Sequence, residues 1–297
     1  MTGAHPSERW KGVILVLLSG IAMSTKAILA KLAYRHGVDA LSVLSLRMFF
    51  AVPFLALSVC WAERNTDRRI TRTESLAIIL CGFVGYYVST MLDFKGLELI
   101  SASLERMVLF LYPTFVVFLS ALLFRKKLSR LRIAALLLTY AGMGIVFHHE
   151  RNLSSAGVWK GSLLVLGCSI GYATYLVGAG RLIPKVGATR FNGYSLLAGT
   201  AFLFGHWVVF GRSLLGLPWI VYGYGVLIAT LGTVIPTVLL SFGIAYTGAA
   251  TAAILTTVGP VSTILLANLI LGEPVSWLQG LGILLVLSGV TVISVRR

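Results

Sequence analysis

WKGVILVLLSGIAMST (residues 10–25) and WKGSLLVLGCSIGYAT (residues 159–174) begin with the same three residues, 149 positions apart. They agree again at Val16/Val165, Ile21/Ile170 and Thr25/Thr174. Each stretch opens an apolar run. The correspondence continues at an offset of 147, which pairs Gly85, Thr90, Gly96 and Pro113 with Gly232, Thr237, Gly243 and Pro260. Ser129 then pairs with Ser276, and Gly142 with Gly289. Two residues are lost between the matched blocks. The 297-residue chain therefore reads as a single domain holding two copies of one unit, over roughly 10–146 and 159–293.

Composition says what kind of unit this is. The chain is 57% hydrophobic and 12% charged, with a mean hydropathy of +0.90. A soluble domain carries about 25% charged residues, so this chain has too little polar surface to cover a water-soluble globule. Apolar runs of about 20 residues, the length that crosses a bilayer core as a helix, recur from end to end. The reading is an all-α membrane protein with ten transmembrane helices. The spans lie near 11–32, 39–62, 74–97, 100–124, 130–148, 157–183, 189–210, 219–246, 249–271 and 275–295. Barrel strands are about 10 residues long and alternate with polar positions, and these runs do neither. Residues 11–25 have the look of a signal peptide, but the same segment recurs in mid-chain, which predicts a retained span.

Each unit then holds five spans, and five is odd. A second unit that starts after five crossings starts on the opposite side of the membrane. The halves are predicted to be inverted relative to each other, around a central cavity. Inverted repeats are a transporter signature, with a substrate site near the midplane between halves that rock against one another.

Charge follows the same topology. Of 25 Lys and Arg, 16 fall on the side of the N-terminus, 7 on the other side, and Lys26 and Arg47 lie inside spans. Such asymmetry places both termini in the cytoplasm. It also accounts for the net charge of +15 without a nucleic-acid partner. Cys60, Cys81 and Cys168 lie far apart within spans and read as small core residues.

Ten spans in two five-span repeats, short loops and a YP or GP pair in the fourth and ninth spans resemble the EamA-type drug/metabolite transporter superfamily. LLFRKKLSRLRIAALLLTYAGMGIVF and LILGEPVSWLQGLGILLVLSGVTVIS resemble its repeat ends. The segment 271–290 carries the Gly-Glu, turn and Gly-rich helix of that pattern, whereas the first copy has RKKLS in place of GEPVS. The resemblance covers essentially the whole chain. It implies metabolite or amino-acid export across a bacterial inner membrane, and the aromatic amino-acid exporter branch is the preferred placement. A multidrug or nucleoside exporter of the same fold is the alternative.

Several positions can carry that chemistry. A charge inside a span costs about 2.5–3.5 kcal/mol on insertion scales and is by default a functional hypothesis. Ser19, Met23 and Lys26 share one helical face, and their repeat partners are Cys168, Tyr172 and Tyr175. A Lys and two Tyr facing one cavity would grip a carboxylate and an apolar group; the bland reading is that Lys26 snorkels to the headgroups. Arg47 is read as snorkelling. Asp93, Lys95, Glu98, Glu105 and Arg106 surround the turn between spans 3 and 4 and are read as a solvated ion-pair network, with an outer vestibule as the sharper alternative. Tyr86 and Thr90 match Thr233 and Thr237, and with Thr256 they are read as cavity lining. The alternative for each hydroxyl is a bond to a carbonyl four residues back. Pro113 and Pro260, at equivalent positions, are read as mid-helix kinks that serve as hinges.

Other classes find little support. There is no phosphate-binding G-x-x-x-x-G-K-[ST] loop, hence no ATP-driven pump. No H-E-x-x-H occurs and no carboxylate pair is evident inside a span, which argues against an intramembrane enzyme. His148, His149 and Glu150 lack further ligands and read as interfacial, so no metal or cofactor is expected. Asp93, Glu98 and Glu105 are the candidates for proton coupling, and facilitated diffusion stays equally open. The expected partners are a small-molecule substrate and the lipid bilayer, and a monomer suffices.

Overall fold

The computed structural model describes residues 6–66, 68–124, 156–256 and 258–278, with positions 280–282, 284–285 and 288 beyond them. Every regular element among the described residues is helical. Seven helices are long and apolar enough to cross a membrane: Trp10–Tyr34, Ala40–Arg64, Arg72–Leu99, Ala102–Leu123, Ala156–Val186, Ala188–Phe210 and Trp219–Thr247. They coincide with predicted spans 1–4 and 6–8. Predicted span 9 is divided into Ala249–Leu255 and a short apolar helix, Val258–Leu271. Span 5, with His148, His149 and Glu150, and most of span 10 lie outside the described residues.

The helix ends are written locally. Asp39 caps span 2 by accepting the Ser42 N–H at 2.9 Å. Thr71 and Glu74 form a reciprocal capping box at span 3, and Ser101 accepts the Leu104 N–H to start span 4. Each cap satisfies a backbone donor that has no partner within its helix.

One cross-half contact positions the centre, and it occurs twice. Span 1 lies against span 8, where a Cβ on Gly243 would fall 2.3 Å from Val16 and one on Gly12 2.6 Å from Tyr246. Span 6 lies against span 3, where a Cβ on Gly96 would fall 2.5 Å from Val165 and one on Gly161 3.0 Å from Leu99. These are the same positions of the two copies. Absent side chains let the backbones close on each other, as small residues do between membrane helices. In both pairings the start of one helix meets the end of the other. Spans 1 and 3, by contrast, finish side by side, and the Tyr34 hydroxyl donates to the Phe94 carbonyl at 3.0 Å.

Spans 3 and 8 also share an irregularity. Phe83–Val88 and Thr230–Val234 are π-helical, and Phe83 corresponds to Thr230 at the 147-residue offset. A π turn widens the ladder and re-aims the side chains within it, and such turns are frequent at functional sites. Here they carry Tyr86 and Thr233, which are repeat partners.

The prolines differ from expectation. Pro113 is the second residue of helix Tyr112–Phe124, after helix Ala102–Leu109 has ended. Pro260 is the third residue of helix Val258–Leu266. Both therefore sit in a first turn, where a missing N–H costs no helical bond. The two spans are broken rather than kinked in mid-helix, because the chain ends one helix and begins another in front of each proline.

Candidate functional site between the halves

Two small cavities meet at the centre. The first, about 60 Å³, is lined by Met23, Lys26, Arg47, Gly85, Tyr86, Ser89, Thr90, Asp93, Leu109, Cys168, Tyr172, Gly232, Thr233 and Thr237. The second, about 30 Å³, is lined by Gly20, Met23, Arg106, Leu109, Phe110, Tyr112, Tyr172, Thr256, Gly259 and Pro260. They share Met23, Leu109 and Tyr172 and so form two lobes of one centre. There is room for a few waters but not for a metabolite, so this conformation is closed around the centre.

Charge is concentrated here. Lys26 is 8% exposed and its ammonium pairs with Asp93, itself 1% exposed. The ammonium also lies 5.6 Å from the centre of the Phe94 ring, and the Arg47 guanidinium 5.5 Å from the same centre. Arg47 is 3% exposed and lines the larger lobe. The snorkelling read for Arg47 is thereby corrected, since Phe94 receives its guanidinium in the interior, and Lys26 turns inward rather than taking its snorkelling alternative.

The solvated network around the turn between spans 3 and 4 is corrected as well. Lys95 and Glu98 are exposed, but Asp93, Glu105 and Arg106 are buried. Glu105 and Arg106 lie in the first turns of helix Ala102–Leu109, which packs against span 6 and helix Val258–Leu266, and this packing encloses them. Arg106 donates to the Met23 carbonyl at 3.3 Å, and its Nε lies 3.9 Å from a Glu105 oxygen. The expectation of no carboxylate pair inside a span fails at the same place, because Glu105 lies beside Asp93.

The aromatic residues form a continuous wall. Tyr86 and Tyr175 meet edge to face at 4.8 Å, with the Tyr86 hydroxyl donating to that of Tyr175 at 3.1 Å. Tyr172 stacks on Tyr175 at 6.1 Å and meets Tyr112 edge-on at 5.0 Å. Tyr86 and Tyr172 line the centre, whereas Tyr175 stands behind them, 2% exposed.

Among the other expected site residues, Met23 lines both lobes, Thr90, Thr233 and Thr237 the larger and Thr256 the smaller. The Thr233, Thr237 and Thr256 hydroxyls donate to the Ile228, Thr233 and Ala252 carbonyls at 2.8, 2.6 and 3.2 Å. Tyr112 and Thr256 also hydrogen-bond to each other. Ser19 does not line the centre; it donates to the Pro236 carbonyl at 2.7 Å and fastens span 1 to span 8.

Residues that sequence reasoning did not select include Ser89, Leu109, Phe94 and Glu273. The Glu273 carboxylate of the GEP turn accepts the Ala102 and Ser103 N–H groups at 2.9 and 3.0 Å and the Ser103 hydroxyl at 2.6 Å. An anion at a helix N-terminus is favoured by free N–H groups and by the helix dipole. The second copy thus caps span 4 of the first. A larger cavity, about 490 Å³, lies at the end where spans 2 and 3 join and is lined by Ile70, Ile78, Ile79, Leu197 and others. Two of its charged members are held by each other, Arg190 donating to Glu63 at 2.7 and 3.1 Å.

A membrane-embedded helical bundle with charged and aromatic residues enclosed between its two halves is the build of an integral membrane carrier. The EamA-like transporter family model matches residues 10–148 and again 159–295. The chain belongs to the EamA-like transporter family and is an integral membrane protein, and the names of its relatives point to a transporter. It is 30% identical to the uncharacterized transporter YcbK of Bacillus subtilis over 93% of this chain and 90% of that protein. It is 24% identical to the uncharacterized inner membrane transporter YicL of Salmonella typhimurium, over 96% and 95%. A solved crystal structure, 18% identical, superposes with a TM-score of 0.66 over 99% of this chain and all of that one, a likeness in fold.

Proposed function

We propose that the protein is a secondary transporter that exports small metabolites with an anionic end and an apolar body, amino acids foremost, by alternating access between two inverted five-span repeats. The carrying observation is the charge of the centre: Lys26, Arg47 and Arg106 line it against one lining carboxylate, Asp93. In a partly dry cavity an ammonium or guanidinium attracts a carboxylate far more strongly than in water. Met23, Leu109, Tyr86 and Tyr172 offer the apolar face.

The inverted repeat is supported by three directions taken together. Span 1 runs with span 3, span 6 runs against span 3, and span 8 runs against span 1. The family model also matches twice, on blocks that agree with the repeat. The basic asymmetry supports an inner-membrane protein with cytoplasmic termini.

Uptake into liposomes by purified protein, with a panel of labelled amino acids, nucleosides and cationic drugs, tests the reading. Saturable counterflow of amino acids is expected; flux of the cations alone would contradict it. A periplasm-active reporter fused to the C-terminus is expected to stay silent, and strong activity there sinks the topology.

A further inference from the structure

Glu105 is fully buried, and neither of its carboxyl oxygens has a hydrogen-bond partner among the described residues. The neighbouring Asp93 offers a second unpartnered oxygen, Oδ1, while its Oδ2 is taken by Lys26. Three buried acceptor oxygens with no donor make a costly arrangement inside a membrane. The groups facing them do not supply one. Lys26 on span 1 is committed to Asp93, and Lys31 and Tyr34 lie further along that helix, Tyr34 donating to Phe94. Arg47 on span 2 lies over Phe94, and Arg106 stands 3.9 Å from Glu105 with its Nε unpartnered. On span 6 the nearby titratable groups are Cys168 and Tyr172; Tyr112, past the break in span 4, hydrogen-bonds with Thr256. Glu273 is spent on the start of span 4, and Glu98 accepts the Ala40 N–H. Helix Val258–Leu266 carries no titratable side chain.

One proton resolves the arrangement. A carboxylic O–H on Glu105 can donate to the neighbouring Asp93 carboxylate, so that two like charges need not share a dry site. We infer that Asp93 and Glu105 form a proton-binding site that adjoins the transport cavity and is linked through Lys26 to the anionic end of the substrate. The step is simple protonation: a hydronium ion gives its proton to a carboxylate oxygen, forming the O–H bond, and leaves as water. The link follows from competition. An anion that draws the Lys26 ammonium away leaves Asp93 without its counter-charge, and the pair then holds its proton more tightly. By reciprocity a bound proton favours the anion. This deepens the proposed function and rests on it for the identity of the anion, whereas the proton site itself is measured without substrate.

Infrared spectroscopy of the purified full-length protein across a pH series tests the inference through the carboxylic-acid C=O stretch. A protonated-acid band present at neutral pH is expected, although exposed carboxylates are ionised there. The band should be lost in Glu105→Gln, whose amide N–H replaces the missing donor. Asp93→Asn should lose it for the same reason, and serves where the first variant does not fold. In Lys26→Met the band should persist to higher pH. A neutral-pH band unchanged in the Glu105→Gln and Asp93→Asn variants, or its absence in the wild type, overturns the site. A band that titrates identically with and without Lys26 overturns the link. Amino-acid counterflow in liposomes, measured in parallel, fails separately if the transport reading is the one at fault.

Discussion

Positions 26 and 175 are the same place in the two copies, yet one holds Lys26 and the other Tyr175. Their settings are built alike. Lys26 sits against Gly232 and Tyr175 against Gly85, glycines that are themselves repeat partners, so that a Cβ on either would fall 3.3 and 2.5 Å from its neighbour. The chemistry around them is not alike. Asp93 corresponds to Leu240, and Glu105 to Ala252, both buried. The duplicated frame supplies shape, and the first copy alone supplies the charge. A centre with one polar and one apolar half suits a substrate with two unlike ends, which a symmetric cavity would not orient.

The most damaging way to break this contrast is to remove one partner of the buried ion pair. Lys26→Met leaves Asp93 unpaired and is expected to cost about 3–5 kcal/mol, read as a large drop in the apparent melting temperature of the detergent-solubilised protein. Lys26→Met with Asp93→Leu removes both charges and puts at position 93 the residue its counterpart Leu240 carries. It should recover most of that stability while the preference for carboxylate substrates stays lost. If the double variant is no more stable than the single one, the charges are not a separable layer on a common frame.

The frame itself should respond symmetrically. Gly96→Val and Gly243→Val each press a side chain into the facing Val165 or Val16, at an expected cost of about 1–3 kcal/mol by overpacking. Similar losses of folded yield are predicted for the two. A loss confined to one of them would show that the halves do not pack equivalently.

Smaller effects probe the edges. Glu273→Gln weakens the cap on span 4, with an expected cost of about 1–2 kcal/mol from the lost charge at a helix N-terminus, measured by thermal unfolding. Tyr86→Phe deletes the hydroxyl bond to Tyr175 and should cost about 1 kcal/mol. Its transport should change little, because the ring remains in the wall.

Much of this was legible in the sequence because membrane helices announce themselves by length and because duplication repeats its glycines. The positions of spans 1–4 and 6–8 follow from apolar run length, and the choice of Met23, Lys26, Tyr86, Thr90 and Tyr172 from a charge inside a span, helical spacing and the pairing of the copies. What was not legible depends on where a helix begins and which way a long side chain turns. Glu105 and Arg106 stand just inside the start of span 4, and only the packing of neighbouring helices on that turn decides that they are enclosed rather than solvated. Arg47 and Lys26 have stems long enough to reach either lipid headgroups or the interior, and Phe94 and Asp93 decide the matter from another helix. The π turns have no local signature, since TLGTV and FVGYYV share only a glycine. Nor does spacing reveal that Ser19 binds the Pro236 carbonyl, or that Tyr175 stands behind Tyr86.

The central claim is that the unequal charge of the two halves recognises the anionic end of a transported metabolite. Counterflow in liposomes with labelled amino acids and their amides, for the wild type and Lys26→Met, tests it most directly. The account predicts saturable exchange that prefers the carboxylates, and a variant that loses this preference while tolerating amides relatively better. Equal responses of carboxylates and amides to the substitution would contradict it.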